Sequence, residues 1–155
     1  MSNKERLSSL VIELKSVSDL EIYQKTNDLK RFSKDFFDYS PILMNELKDC
    51  VADIVVRPLS VDAIVFVAQI CNKYATPLTL RGSGTGNYGQ CVPLKGGVVM
   101  VMSGLRKIRH FDSKTGEITV ESGCLLRDIN DELIQYGRQL RLLPSTWRSA
   151  SMGGF

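Results

Sequence analysis

The amino-acid sequence predicts a mixed α/β or α+β fold. After residue 52, strand-like and helical hydrophobic patterns alternate in the order β-α-β-loop-β-β-β-α-β. One strand-like run is apolar throughout, which is typical of a strand buried on both faces. The chain has 155 residues, enough for one domain with a sizeable core, and the composition of an ordinary globular protein.

The first 49 residues are predicted to be mainly helical. One face of the first helix carries Leu7, Leu10, Val11 and Leu14. A second helix is predicted to begin at Ser18, because the sequence Ser-Asp-Leu-Glu has the form of a capping box. Residues 27–49 are charged and aromatic and predict a loop with a short helix. We therefore divide the chain into an N-terminal helical segment, residues 1–49, and a domain, residues 50–155.

A strand–helix–strand unit opens the domain. Residues 53–57 (Asp-Ile-Val-Val-Arg) predict a short strand that ends at Pro58, and Ser60 can cap the helix that follows. The predicted core-facing stripe of this helix consists of Ile64, Val67, Ala68 and Cys71. Residues 78–80 then predict a strand that runs directly into glycines.

The remaining elements are shorter. Residues 97–102 are the apolar run, and residues 107–112 and 117–121 predict two strands joined by a turn. A further helix that ends near Gly137 is indicated by the spacing of Leu126, Ile129 and Leu133. Residues 139–142 predict a last strand before a proline.

Composition excludes several classes of protein. The net charge is +3 with both signs mixed along the chain, so no nucleic-acid-binding patch is predicted. None of the four cysteines forms a C-x-x-C pair, so no metal site is expected, and reduced thiols favour a cytoplasmic location. No apolar run approaches the roughly 20 residues that a membrane helix needs. The single histidine, His110, excludes chemistry that requires two.

The most informative segment is the glycine-rich loop of residues 81–89 (Arg-Gly-Ser-Gly-Thr-Gly-Asn-Tyr-Gly). Glycines allow successive backbone N–H groups to point into one concavity, which can hold phosphate oxygens. Ser83, Thr85 and Asn87 could add hydrogen bonds, and Arg81 a positive charge. The loop lacks both the Gly-Lys-Ser/Thr of a P-loop and the G-x-G-x-x-G spacing of a dinucleotide fingerprint. Spacing alone gives a flexible turn and a phosphate loop equal weight.

Several ordered motifs nevertheless resemble one family. Residues 81–93 resemble the pyrophosphate loop of the vanillyl-alcohol oxidase / p-cresol methylhydroxylase (PCMH-type) family of FAD-linked oxidases, which includes the glycolate oxidase flavoprotein subunit and the D-lactate dehydrogenases. Residues 55–62 resemble the family's strand, proline and helix start, and residues 117–123 its next conserved unit. Residues 144–154 resemble its second FAD segment, which ends in a glycine pair. The resemblance covers about residues 50–155.

The resemblance implies a PCMH-type fold of two α/β subdomains, with the second truncated in this chain, and two groups of cofactor contacts. The residues that would wrap the FAD pyrophosphate are Arg81, Gly82, Ser83, Gly84, Thr85, Gly86 and Asn87. The residues that would lie along the cofactor toward the flavin ring are Pro144, Ser145, Thr146, Ser149, Ser151, Gly153 and Gly154. Thr85 stands where some relatives carry a histidine bonded to FAD, so the FAD would be non-covalent.

The implied function is the FAD-binding part of an oxidoreductase that oxidises a 2-hydroxy acid, such as glycolate or D-lactate, by hydride transfer to the flavin. A domain beyond this sequence would bind the small-molecule substrate and supply the catalytic residues, so none is assigned here. Two alternatives remain: a non-catalytic flavin-binding module completed by a partner chain, or a domain that binds another phosphorylated ligand. The loop assignment also predicts that Gly84→Val abolishes FAD uptake with little loss of fold.

Overall fold

A four-stranded sheet lies at the centre of the computed structural model, which describes residues 3–155. The strands are β1 (Leu20–Tyr23), β2 (Ile54–Pro58), β3 (Leu78–Arg81) and β4 (Val98–Val101). Their order across the sheet is β1-β2-β4-β3. Strands β2 and β3 both run parallel to β4, and β1 runs antiparallel to β2. A helix, α4 (Val61–Lys73), makes the crossover between β2 and β3 that parallel strands require.

Helices cover both faces of the sheet. Three precede β2: α1 (Asn3–Leu14), α2 (Thr26–Phe32) and α3 (Pro41–Leu47). Helices α1 and α4 pack on one face, where Leu10 and Leu14 join a cluster that includes Val56 and Val98. Helix α2 packs on the other face, against the alternate strand residues Val55 and Val99. All residues of β4 are buried, which confirms the prediction of a strand enclosed on both sides.

The helix predicted after β2 is confirmed, and two of the four residues of its predicted stripe, Val67 and Cys71, are buried. The Ser60 hydroxyl accepts a hydrogen bond from the Ala63 N–H at 3.2 Å, as an N-cap should. The buried residues of α4 are Ala63, Val67, Ile70 and Cys71, whereas the predicted Ala68 is exposed. Burial raises the pKa of the Cys71 thiol to about 11, so this thiol is protonated at neutral pH.

The C-terminal part is a separate small layer. The two predicted strands joined by a turn are β5 (Ile108–Phe111) and β6 (Ile118–Val120), which form an antiparallel pair. The predicted further helix is α5 (Leu126–Ile134), and it packs on this pair. The buried residues of this cluster are Cys124, Leu126, Ile129, Leu133 and Ala150. The helix is followed by Gly137 at φ +66°, a left-handed conformation that suits glycine.

Two element predictions are wrong. The helix expected from Ser18 is instead β1: Asp19 takes φ +54°, which interrupts a helix, and the segment after it pairs with β2. The strand expected at residues 139–142 is irregular. The Leu140 N–H donates to the side-chain oxygen of Asn130 at 3.2 Å, and no described strand lies beside it to form a ladder.

The segment before residue 50 shares the sheet and the core of the rest. Strand β1 supplies an edge of the sheet, and α1 supplies two fully buried leucines. A fully buried leucine contributes about 2 kcal/mol of hydrophobic free energy. The division into residues 1–49 and 50–155 remains a prediction from sequence, and Met1 and Ser2 of that segment lie outside the described residues.

Candidate cofactor site

The glycine loop leaves the sheet at the carboxyl end of β3. Because β3 and β4 are parallel, the residue that follows β4, Met102, reaches the same edge of the sheet. Ligands of open parallel sheets bind outside the carboxyl ends of the strands. Gly82 to Gly86 border a cleft at this edge, with a volume of about 260 Å³.

The cleft brings together the two sequence segments that resemble FAD contacts. Its lining residues are Asp35, Leu80, Gly82, Ser83, Gly84, Thr85, Gly86, Gln90, Cys91, Met102, Ser122, Ser151, Gly153 and Gly154. Close packing joins the two segments: a β-carbon on Gly82 would lie 2.5 Å from the Ser151 Oγ and 3.3 Å from the Gly154 Cα. Only glycine therefore fits at position 82 without displacing its neighbours.

Backbone N–H groups of the loop face no acceptor of the protein. Within the described part of the chain, the N–H groups of residues 83–86 donate no hydrogen bond. Gly84 has φ +69°, and a left-handed residue in a loop can turn neighbouring N–H groups toward one concavity. The lining includes no lysine or arginine, so an anion there would be held by backbone N–H groups and neutral side-chain donors.

Ser151 presents an unusual hydroxyl to the same cleft. The residue is 2% exposed, and its Oγ has no hydrogen-bond partner among the described residues. Its backbone is fixed on both sides, because the Leu126 N–H donates to Ala150 and the Met152 N–H donates to the Cys124 carbonyl at 2.8 Å. A buried hydroxyl without a partner costs about 1–3 kcal/mol, so a ligand that bonds to it recovers that free energy.

Arg81 lies beneath the loop and does not line the cleft. Its side chain is buried, and Nη1 donates to the Lys34 carbonyl at 2.6 Å and to the Cys91 Sγ at 3.0 Å. The guanidinium also stacks over the Phe32 ring at 6.0 Å. Burial raises the pKa of the Cys91 thiol, and the charge of Arg81 acts in the opposite direction. Arg81 thus supports the loop from below, a role that the sequence did not indicate.

The other predicted contacts divide into two sets. Ser83, Thr85, Gly153 and Gly154 line the cleft with the residues described above. Asn87 is exposed beyond it. A turn outside the cleft holds Pro144, Ser145, Thr146 and Ser149, where the Ser149 hydroxyl donates to the Thr146 carbonyl at 3.2 Å. Contact between these outer residues and FAD stays a prediction.

Six lining residues were missed by the sequence analysis as site residues: Asp35, Leu80, Gln90, Cys91, Met102 and Ser122. Leu80 and Gln90 adjoin the loop, and the position of Met102 follows from the parallel pairing of β3 with β4. Asp35 carries no sequence signal, because its approach to the loop depends on how α2 packs against the sheet. In the part of the chain that the structure describes, no cluster of His, Cys, Asp or Glu could hold a metal ion.

The model of one family, described as "FAD binding domain", matches residues 52–155. The chain belongs to this family. The match spans the glycine loop and residues 151–154, the two segments that meet in the cleft. FAD is therefore the ligand of this FAD binding domain, and the predicted family is confirmed. Among the described residues, no helix has both the length and the apolar character needed to cross a membrane.

Similar curated proteins are oxidases or dehydrogenases by name. The domain is 28% identical over 102 residues to the glycolate oxidase subunit GlcD of Bacillus subtilis, covering 66% of this chain and 22% of that protein. It is 30% identical over 104 residues to a mitochondrial D-lactate dehydrogenase (cytochrome) of Arabidopsis thaliana, covering 67% of this chain and 18% of that protein. The chain thus spans about a fifth of the length of these relatives.

Solved structures share the fold over nearly the whole chain. A 4-ethylphenol oxidase from Gulosibacter chungangensis superposes with a TM-score of 0.80 at 19% identity, covering 99% of this chain and 29% of that chain. A p-cresol methylhydroxylase superposes with a TM-score of 0.79 at 16% identity, covering 98% of this chain and 29% of that chain. These matches confirm the predicted PCMH-type fold.

Proposed function

We propose that the cleft between the glycine loop and residues 151–154 holds the diphosphate of FAD. The observation that carries this proposal is that residues 83–86 line the cleft and that their N–H groups have no acceptor in the described protein. Backbone N–H donors beside glycines suit diphosphate oxygens, since they can be approached closely and carry partial positive charge. The buried Ser151 hydroxyl would add a donor from the opposite wall.

The residues of this site would bind and orient the cofactor without forming a covalent bond to it. Thr85, at the position where a covalent link occurs in some relatives, is not a nucleophile toward the flavin ring, so we propose dissociable FAD. Gly153 and Gly154 present backbone without side chains at the cleft, which allows a flat ring to approach. When bound, the flavin would supply the group that accepts a hydride from a carbon atom of the substrate.

The whole protein is proposed to be an oxidoreductase acting on a 2-hydroxy acid such as glycolate or D-lactate. The support is the likeness to the glycolate oxidase subunit and the D-lactate dehydrogenase. A cytoplasmic location is part of the proposal, supported by four cysteines that form no disulfide. The competing proposal is a flavin-binding module whose active site a partner chain completes.

A pair of glycine variants tests the location of the site. In Gly86→Ala the added methyl would meet the exposed Gln90 amide at 2.6 Å and approach the Asp35 carboxylate at 3.4 Å. Gly86 does not have a positive φ, so the fold should tolerate alanine while the cleft loses space. We expect FAD affinity, measured by quenching of flavin fluorescence, to fall at least tenfold with an unchanged urea midpoint.

The control is Gly137→Ala, which lies outside the cleft. Its methyl would meet no described atom within 4 Å, but φ +66° strains alanine, so stability should fall by about 1 kcal/mol with FAD affinity unchanged. Equal FAD affinity in Gly86→Ala and the parent chain would refute the proposed site. Anaerobic addition of glycolate or D-lactate to the FAD-loaded whole protein then distinguishes enzyme from module, because the flavin is reduced only where one protein carries the complete active site.

A further inference from the structure

The glycine loop is attached to a segment that lies outside the family match. Three consecutive residues, Lys34, Asp35 and Phe36, follow α2, whereas the match begins at residue 52. The Lys34 carbonyl accepts a hydrogen bond from Arg81 at 2.6 Å, and the Phe36 N–H donates to the Gly86 carbonyl at 2.9 Å. The loop is therefore connected near both its beginning and its middle to this segment.

Asp35 makes the third connection, and it does so from inside the cleft. Its side chain is 5% exposed and lines the cleft. The carboxylate accepts two backbone hydrogen bonds, from the Phe37 N–H at Oδ1 and from the Gly89 N–H at Oδ2, both at 2.9 Å. The first bond closes a local turn, and the second joins residues 54 positions apart. Gly89 lies in a loop outside the helices and strands, so its N–H takes part in no regular secondary structure.

A carboxylate in a cleft for a diphosphate requires an explanation, because like charges repel. If Asp35 were only a wall residue, it would weaken the binding of an anion. Its hydrogen bonds suggest the opposite effect, since they fix the end of a loop whose own N–H groups have no protein partners. A loop fixed in its binding shape loses less conformational entropy when the ligand binds.

We propose that Asp35 is a positioning residue that holds the glycine loop in its diphosphate-binding shape. The proposal rests on the proposed function, in that FAD is placed in this cleft. Asp35 acts through the backbone of Gly89 and touches no reacting atom. The segment of residues 34–36 is thus a functional part of the site.

Asp35→Asn tests the proposal because the two possible roles predict opposite signs. Asparagine can keep the local bond to the Phe37 N–H, but its amide cannot accept from Phe37 and Gly89 together in the way the carboxylate does. Positioning predicts at least a tenfold loss of FAD affinity. A wall carboxylate that merely repels the diphosphate predicts tighter binding of FAD, because the negative charge is removed.

Hydrogen exchange of the ligand-free chain provides a readout that does not depend on FAD. We expect the Gly89 amide to exchange faster in Asp35→Asn while the amides of β4 keep their protection. Asp35→Ser is the second variant, since a serine hydroxyl can still close the local turn but is too short to reach Gly89. The matched control is Asp38→Asn, which removes an exposed charge from the neighbouring helical turn and should change neither readout.

Unchanged or tighter FAD binding in Asp35→Asn, or unchanged protection of the Gly89 amide, overturns the proposal. Failure of the proposed function gives a different result. In that case Gly86→Ala leaves FAD affinity unchanged, while the Gly89 amide of Asp35→Asn still exchanges faster.

Discussion

Replacing Ser151 by alanine should change stability and FAD affinity in opposite senses. The Ser151 Oγ is buried and lacks a partner among the described residues, so the ligand-free chain bears the cost of a dehydrated hydroxyl, about 1–3 kcal/mol. Alanine removes that cost and leaves a small void, which offsets part of the gain. We expect the free energy of unfolding without FAD to stay the same or to rise by about 1 kcal/mol.

FAD affinity of Ser151→Ala should fall. A hydrogen bond from a hydroxyl to a charged oxygen contributes about 1.5–3 kcal/mol. Its loss therefore raises the dissociation constant roughly tenfold to hundredfold. Calorimetric titration of FAD into both chains measures the change directly. Urea unfolding of the ligand-free chains gives the stability difference.

Ser33 provides the matched comparison, because it is also 2% exposed. Its hydroxyl accepts a hydrogen bond from the Ala52 N–H at 2.9 Å, so Ser33→Ala leaves a buried donor unsatisfied and should cost about 1–3 kcal/mol. The reasoning is refuted if Ser151→Ala destabilises the ligand-free chain as much as Ser33→Ala does, or if it binds FAD with the parent affinity.

Two further predictions concern the loop and the sheet edge. Gly84→Val should abolish FAD uptake and lower the free energy of unfolding by about 1–3 kcal/mol. The loss of stability is expected because φ +69° strains valine and because its β-carbon would collide with the buried Arg81 guanidinium. A urea midpoint equal to that of the parent chain would contradict this prediction. Glu21 lies opposite Arg57 across β1 and β2 and bonds to it at 2.6 and 2.8 Å, and this hydrogen bonding lowers the pKa of Glu21. A lowered pKa in the folded chain stabilises it above the unfolded pKa, so the advantage over Glu21→Gln should be about 0.5 kcal/mol at pH 7, since the pair is partly exposed, and should be lost as the pH falls through the lowered pKa of Glu21; an advantage in urea unfolding that does not change with pH would argue against it.

The outcome for Gly84 differs from the expectation drawn from sequence. The sequence predicts little loss of fold for Gly84→Val, because valine there would block backbone approach to the ligand without removing a core side chain. The structure places the guanidinium of Arg81 directly beneath Gly84. Sequence spacing identified the need for close backbone approach but could not reveal which side chain fills the space below the loop.

Local patterns predicted the elements that bury a regular stripe or an apolar run. Helix α4, strand β4 and the β5–β6 pair follow this rule. The segment Leu20–Tyr23 was predicted as a helix because the residues at its start match a capping box. It forms a strand instead, because pairing with β2 outweighs this local preference. The buried Asp35 could not be predicted, since its partner Gly89 is 54 residues away.

The place of Leu10 and Leu14 in the core has a consequence for protein engineering. The family match begins at residue 52, yet a chain cut at that point would lose the edge strand beside β2 and uncover the apolar groove that α1 fills. The unit that can be exchanged between relatives, or fused to another enzyme, therefore begins at the first helix and includes residues that a family boundary would discard.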